Sequence, residues 1–136
     1  MKLLQGSYIR GRVYFLICEL VSSINKKELA HLAKYGITAP MFDEINEDLE
    51  DYFVNARVVE KKIFVPKEDF ILNRVFDENP LKIYALENAQ LYATGNWHTE
   101  CDLYIDGVRS DLTLICNLLL DDKQNIHVKF NNLEVM

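Results

Sequence analysis

Residues 97–130 read WHTECDLYIDGVRSDLTLICNLLLDDKQNIHVKF, and apolar and polar side chains alternate along most of this stretch. A period of two residues is the spacing at which a β-strand presents side chains to one face. Asp106-Gly107 separates the first two runs and is a strong signal for a two-residue hairpin turn. The segment from Asp121 to Asn125 separates the next two and predicts a second turn. The stretch therefore predicts a three-stranded antiparallel meander with one apolar and one polar face.

The alternation changes phase near the end of the chain. In the last run, apolar residues occupy even-numbered positions from Ile126 to Phe130 and odd-numbered positions at Leu133 and Val135. One additional residue in a strand exchanges its two faces, so a β-bulge near Asn131-Asn132 is expected.

The first half of the chain shows helical periodicity. Residues from about Tyr8 to Ser22 predict a heavily buried helix. Its apolar face is Ile9, Val13, Leu16 and Leu20, widened by Tyr14, Phe15 and Ile17. Asn25, followed three residues later by Glu28, matches a capping box and predicts a second helix that ends at Gly36.

A third helix is predicted to start at Thr38-Ala39-Pro40, because proline favours the first helical position. Its apolar stripe consists of Phe42, Ile45, Leu49, Tyr52 and Phe53. The stripe indicates a helix that packs on the core along one side only.

The segment between the helices and the meander is ambiguous. Val58-Val59 and the run from Ile63 to Val65 are typical of short strands. Residues from Phe70 to Phe76 fit either a helix or a strand, and 81–86 are expected to be extended.

Together these elements predict one α+β domain spanning residues 1–136, with N-terminal helices packed on a curved C-terminal antiparallel sheet. A length of 136 residues, with 49% hydrophobic and 26% charged residues, is usual for a single globular domain.

The three cysteines favour a reducing environment. Cys18, Cys101 and Cys116 occupy apolar positions, and their odd number does not fit a disulfide framework. We expect all three to be reduced, with a Cys101–Cys116 bridge as the alternative. The apolar run at 13–18 is too short for a signal peptide or a membrane span, so a cytoplasmic protein without membrane contact is expected.

The net charge of −6 disfavours binding to nucleic acid and favours a basic partner. The charge is concentrated on the third predicted helix. Six acidic residues fall within nine positions there: Asp43, Glu44, Glu47, Asp48, Glu50 and Asp51. Like-charge pairs four residues apart, such as Asp43 and Glu47, each cost about a few tenths of a kcal/mol. The helix face is therefore a solvated surface, a surface neutralised by Lys26, Lys27, Lys61 or Lys62, or a surface that attracts a basic protein.

The polar face of the predicted sheet carries the other candidate site. Its candidate pocket residues are His98, Glu100, Asp102, Tyr104 and His127. If another element covers this face, the residues would line a polar pocket in which a carboxylate or a histidine acts as general acid or base. Otherwise the face is solvated.

The sequence contains no Gly-x-Ser-x-Gly, no glycine-rich phosphate loop and no zinc-ligand spacing. We therefore assign no catalytic residue, no metal ligand and no cofactor.

The C-terminal third resembles a family of small uncharacterised bacterial proteins. The resemblance is carried by Trp97, Asp102-Leu103, the stretch Ser110-Asp111-Leu112-Thr113-Leu114 and the ending from Asn131 to Met136. The family pattern has tryptophan where this chain has Tyr104, and it closes with Asp-Asp-Leu-His-Val-Leu, so Asn131, Asn132 and Glu134 depart from it. The resemblance implies a fold unit and no catalytic residue.

Two resemblances of type suggest functions. Small acidic bacterial domains of this kind look like immunity proteins, which block a toxin. The order of helices before a curved sheet looks like the cone-shaped fold of nuclear transport factor 2. The leading hypothesis is a non-enzymatic module that neutralises a basic toxin domain, such as a nuclease. The alternatives are a small-ligand binder or enzyme with a pocket on the sheet face, and a homodimer formed through the sheet.

Overall fold

The computed structural model describes residues 2–3, 7–67, 79–85, 97–120 and 125–135. The helices are α1 (Ser7–Lys26), α2 (Leu29–Leu32), a 3-10 turn (Ala33–Tyr35) and α3 (Ala39–Asn55). The strands are β1 (Lys2–Leu3), β2 (Leu81–Ala85), β3 (Trp97–Ile105), β4 (Val108–Leu120) and β5 (Ile126–Val135). They form one antiparallel sheet in the order β1-β2-β3-β4-β5. The α+β prediction is confirmed.

Helix α1 is longer than predicted, because its apolar stripe continues through Val21 and Ile24 to Lys26. The predicted capping box is wrong. Asn25 lies inside α1, and its side chain is hydrogen-bonded to the backbone of Ile63: Nδ2 donates to the carbonyl at 2.7 Å, and Oδ1 accepts from the N–H at 3.0 Å. Helix α2 is consequently a single turn without a side-chain cap, although Gly36 ends this helical segment as predicted, with φ at 80°.

Helix α3 starts as predicted. Thr38 is its N-cap, and the threonine Oγ1 accepts a hydrogen bond from the N–H of Met41 at 3.4 Å. Phe42, Ile45, Leu49 and Phe53 are buried along one side of the helix. None of the described helices has both the length and the apolar composition that crossing a membrane requires.

Only part of the ambiguous segment is described. Val58 has no regular secondary structure and Val59 lies in a bend, so the two residues form no strand, which corrects that prediction. In the run from Ile63 to Val65, Phe64 forms an isolated β-bridge to Tyr104. The N–H of Phe64 donates to the carbonyl of Tyr104 at 2.9 Å, and the N–H of Tyr104 donates to the carbonyl of Phe64 at 2.8 Å. Residues 70–76, predicted to be a helix or a strand, lie outside the described residues. The extended segment predicted at 81–86 is confirmed for 81–85, which form β2, and residue 86 is not described.

The predicted hairpin connects β3 and β4. Ile105 faces Val108, and the two residues between them, Asp106 and Gly107, both have positive φ, at 51° and 77°. That is the backbone of the two-residue turn that Asp-Gly favours. The carboxylate of Asp106 also accepts hydrogen bonds from the N–H groups of Val59 and Glu60 at 2.8 and 2.7 Å, which attaches the hairpin to the loop after α3.

The predicted bulge in β5 is present. Ile115 of β4 faces Asn132, whereas the next residue, Cys116, faces Phe130, so Asn131 is the additional residue. After the bulge, Leu133 and Val135 face Leu114 and Leu112 and therefore point to the helix side of the sheet.

A single apolar core joins the helices to the sheet. The residues of β3 alternate between buried and partly buried, as predicted. The core includes Val13, Ile17 and Leu20 of α1, Phe42, Ile45 and Leu49 of α3, and Leu103, Leu114 and Leu118 of the sheet. Burying each such side chain contributes about 1.5–3 kcal/mol. None of the three cysteines forms a disulfide bond, as expected, and Cys101 and Cys116 are buried.

Asn25→Ala should lower the free energy of unfolding by about 1–3 kcal/mol, because it leaves the N–H and carbonyl of Ile63 without their partners. Chemical denaturation measures the change. Asn46→Ala is the matched control, since Asn46 is a half-buried helical residue for which no side-chain hydrogen bond is described. Equal effects of the two substitutions would contradict a structural role for Asn25.

Candidate functional site

The exposed side of α3 is uniformly negative. Its carboxylates are Asp43, Glu44, Glu47, Asp48, Glu50 and Asp51, all of them exposed, and we call this set the acidic face. The ion pairs described in the structure join other residues, namely Glu28 to His31, Glu19 to Lys34 and Asp102 to Arg109. No described lysine, including those at 26, 27, 61 and 62, lies within ion-pair distance of the acidic face. The structure therefore brings the predicted partner-binding residues together on one surface.

A groove runs between α3 and the second half of β5. One part, about 280 Å³, is lined by Asp48, Leu49, Asp51, Tyr52, Asn55, Leu112, Leu133 and Val135. A smaller part, about 150 Å³, is lined by Met41, Glu44, Ile45, Asp48 and residues 130–133. Asp48 and Leu133 belong to both parts, and we call the whole the α3–β5 groove. It has an apolar floor beside the carboxylates of the acidic face.

Tyr52 closes one side of this groove. Its hydroxyl donates a hydrogen bond to Asp111 of β4. Burial raises the pKa of Tyr52, and the bond to the Asp111 carboxylate raises it further, so the phenol remains a neutral donor at physiological pH. The contact fixes the C-terminal half of α3 against the sheet, and with it the positions of Asp48 and Asp51.

The predicted pocket residues are only partly brought together. His98, Glu100, Asp102 and Tyr104 share one face of β3 and are partly buried, and the ring of His98 stacks on Tyr84 with centroids 5.1 Å apart. His127 is exposed on β5, with β4 between it and β3. It lines a different groove, with Arg12 and Lys34.

Asp102 is engaged in structural contacts. Nε of Arg109 donates to its carboxylate at 3.0 Å, Nη2 adds a second bond, and Oγ1 of Thr113 donates at 3.0 Å. This carboxylate is therefore held by Arg109 and Thr113 and is not free to act as a general acid or base.

Sequence reasoning missed a groove of about 520 Å³ between α1 and the segment from α2 to the 3-10 turn. At its centre, the hydroxyl of Tyr35 and Nζ of Lys34 donate to Oε2 of Glu19 at 3.0 and 3.3 Å. The signal in the sequence was Glu19 itself, a carboxylate inside the apolar run of a buried helix. Phe15, which is 52% exposed, lies at the same groove.

The groups in this groove shift each other's pKa. Burial raises the pKa of Tyr35 well above its ordinary value, and the hydrogen bond to Glu19 raises it further. Burial also tends to raise the pKa of Glu19, but hydrogen bonds from Tyr35 and Lys34 and the nearby cations outweigh this effect, so the pKa of Glu19 is lowered. The cluster is charged on Glu19 and neutral on Tyr35 at physiological pH.

The described residues give little support to metal binding or to thiol chemistry. They contain no group of three or more histidine, cysteine or acidic side chains that could hold a metal ion. Burial raises the pKa of the Cys101 thiol well above its ordinary value and that of Cys116 to about 12, so both remain unreactive thiols.

A family model with the description "Domain of unknown function (DUF7668)" matches residues 21–136. The chain belongs to the DUF7668 family. The match includes the end of α1, all of α3 and strands β2 to β5, and the expectation of an uncharacterised family is confirmed. The chain matches none of the curated proteins and none of the solved structures.

In this DUF7668 domain, the stretch from Ser110 to Leu114 has a structural role. Asp102 pairs with Thr113 and Tyr104 with Arg109, so the single residue between them on β3 lies opposite three residues of β4. Ser110 stabilises this irregularity, because its Oγ donates to the carbonyl of Leu103 at 2.6 Å and accepts from the N–H of Leu112 at 3.1 Å. Asp111 and Thr113 bind Tyr52 and Asp102, as described above.

Tyr35→Phe should raise the pKa of Glu19, because it removes a hydrogen bond that stabilises the carboxylate. NMR titration of the side-chain carboxyl measures the change. Tyr52→Phe removes a phenol that contacts Asp111 instead and is the matched control. An unchanged titration of Glu19 in Tyr35→Phe would contradict the prediction.

The raised pKa of Tyr35 also predicts a dependence of stability on alkaline pH. The stabilisation is fully present below the ordinary tyrosine pKa of about 10 and is lost as the pH rises towards the higher folded-state pKa. Unfolding by urea between pH 9 and pH 11 should therefore show a smaller fall in stability for Tyr35→Phe than for the wild type. If stability falls by the same amount in both proteins, Tyr35 does not contribute to the alkaline pH dependence of stability.

Proposed function

We propose that this protein is a non-enzymatic protein-binding module of the immunity type, which neutralises a basic partner such as the nuclease domain of a bacterial toxin. The observation that carries the proposal is the acidic face of α3, whose six exposed carboxylates form no ion pair with a described cation. In this proposal the protein acts in the cytoplasm of the bacterial cell that produces it.

The charge arrangement is unfavourable for the isolated helix. Asp43 with Glu47, and Glu44 with Asp48, are like-charge pairs four residues apart, and the last turn of α3 carries no basic residue to interact with the helix dipole. A basic partner would relieve this repulsion on binding. It would also associate faster, because a surface of one sign attracts an oppositely charged protein before contact.

The negative net charge of the protein disfavours nucleic acid as a ligand. An overall charge of −6 repels the phosphates of nucleic acid, which supports a protein as the partner. The buried thiols and the engaged carboxylate of Asp102 supply no activated nucleophile or free acid–base pair, which supports a binding role over an enzymatic one.

The second candidate is a small-ligand binder or enzyme of the nuclear transport factor 2 type. It is supported by the partial burial of His98, Glu100 and Tyr104 on one face and by the stack of His98 on Tyr84. The position of His127 on a separate groove weakens it. Crystals soaked with small aromatic and carboxylate compounds distinguish the two candidates, since only this one predicts density on the outer face of β3.

Reversal of charge on the acidic face tests the leading proposal. With the partner captured from the native host, Glu47→Lys/Asp48→Lys should slow association about 10- to 100-fold at low ionic strength, and the difference should shrink as salt is added. Stopped-flow fluorescence measures the rate.

The matched control is Glu28→Lys/Glu60→Lys, which makes the same change in net charge away from α3. It should slow association by no more than about threefold, because this control keeps all six carboxylates of the acidic face and the partner still meets a surface of opposite sign there. Association that is unaffected by the α3 reversal would contradict the proposal, as would equal effects of the two double variants.

A further inference from the structure

Strand β5 forms one edge of the sheet. Among the described residues its backbone pairs with β4 only, so its other side offers backbone groups to a further strand. The first half of this edge is protected, because Lys129 folds back and its Nζ donates to the carbonyl of Lys34 at 2.7 Å. The residues after the bulge at Asn131 carry no such protection by lysine or proline. The N–H of Leu133 donates to Oδ1 of Asn132 at 2.9 Å, a local contact that an incoming strand would have to replace.

The end of β5 also leaves apolar surface uncovered. Val135 points to the helix side, opposite the buried Leu112, yet it is 61% exposed. Leu133 is partly buried beside it. The core therefore ends at this edge in an open apolar strip, which is the floor of the α3–β5 groove.

Charge indicates what could cover the strip. Asp48 and Asp51 line the groove with Leu133 and Val135, and Glu44 lines its smaller part. Lysine and arginine side chains can lay their apolar stems on such a surface while the charged ends reach carboxylates. Alternate residues of a strand lie about 6.5–7 Å apart, and residues three apart on a helix rise by about 4.5 Å, so two successive basic side chains can reach both aspartates.

We propose that the edge of β5 from Asn132 to Val135 is the place where an extended basic segment of the partner adds as a further strand. Its alternate lysine or arginine side chains lie across Leu133 and Val135 and end at Asp48 and Asp51. This inference rests on the proposed function for the basic character of the partner. It adds the geometry by which the segment is recognised, namely backbone pairing combined with charge.

A second copy of this chain is the less suitable occupant. Pairing of two β5 edges would bring the two acidic faces towards each other, because α3 flanks the edge in both copies. Like charges placed together oppose association. The charge of the groove thus selects a basic strand over self-association.

The probe for the test is a short capped peptide of alternating lysine and threonine that carries a fluorophore, and binding is followed by fluorescence anisotropy. An analogue that is N-methylated at every backbone amide keeps the charges but cannot donate to a strand edge. We expect the first peptide to bind and the analogue to lose binding by about tenfold or more. No binding of the unmodified peptide at millimolar concentration, or equal binding of both peptides, would overturn the proposal.

Two pairs of variants locate the site. Asp48→Asn/Asp51→Asn should weaken peptide binding about tenfold, whereas Asp43→Asn/Glu47→Gln, which removes the same charge outside the described groove lining, should weaken it by less than about threefold. Val135→Lys should also weaken binding about tenfold. Val108→Lys is its control, since Val108 is 66% exposed at the β3–β4 turn.

The outcomes separate this inference from the proposed function. Equal effects of the two acidic pairs would overturn the edge site, while the slow association of Glu47→Lys/Asp48→Lys with the captured partner would still support the proposed function. Light scattering measures the oligomeric state with and without the peptide. A dimer that the peptide does not dissociate would assign the edge to a second copy and overturn the proposal.

Discussion

The apolar sides of β3 and β4 are buried against α1 and α3, and the rest of the molecule depends on this contact. Leu103 and Leu114 of the sheet are fully buried in the same cluster as Ile17 of α1 and Leu49 of α3. Each such burial is worth about 1.5–3 kcal/mol, which is several times the few tenths of a kcal/mol lost in a like-charge pair on a helix. Tertiary packing therefore holds α3 in place in spite of its charge.

This balance has a consequence for recognition. Because packing secures α3 through Phe42, Ile45, Leu49 and Phe53, its exposed side is free to carry a charge pattern that would weaken an isolated helix. The hydrogen bond from Tyr52 to Asp111 then fixes that side relative to the sheet. A surface of fixed geometry and one sign is suited to binding an oppositely charged protein, since little order has to be gained on association.

Features set by neighbouring residues could be predicted from the sequence. The Asp106-Gly107 turn depends on two residues that accept positive φ, and the bulge at Asn131 follows from the change of parity between Phe130 and Leu133. The start of α3 at Thr38 and the end of the 3-10 turn at Gly36 are local in the same sense.

Features that depend on distant partners could not be predicted. Asn25 resembles a helix cap, but it binds the backbone of Ile63, which is 38 positions away. Tyr52 and Asp111 are separated by 59 positions, so the groove beside them cannot be read from spacing alone. Asp102 binds Arg109, only seven positions away, but this contact accompanies an irregular register between β3 and β4 that the alternation did not indicate. The acidic residues were found because their pattern is local, whereas the β5 edge next to them required the fold.

Hydrogen exchange of the protein with and without its captured partner tests the central claim most directly, namely that the surface formed by α3 and the end of β5 is the recognition surface. The account predicts that binding slows amide exchange in α3 and at residues 132–135. The exchange rates of the amides in α2 and β3 should stay unchanged. New protection confined to β3 or to the groove between α1 and α2, with α3 and β5 unaffected, would contradict it.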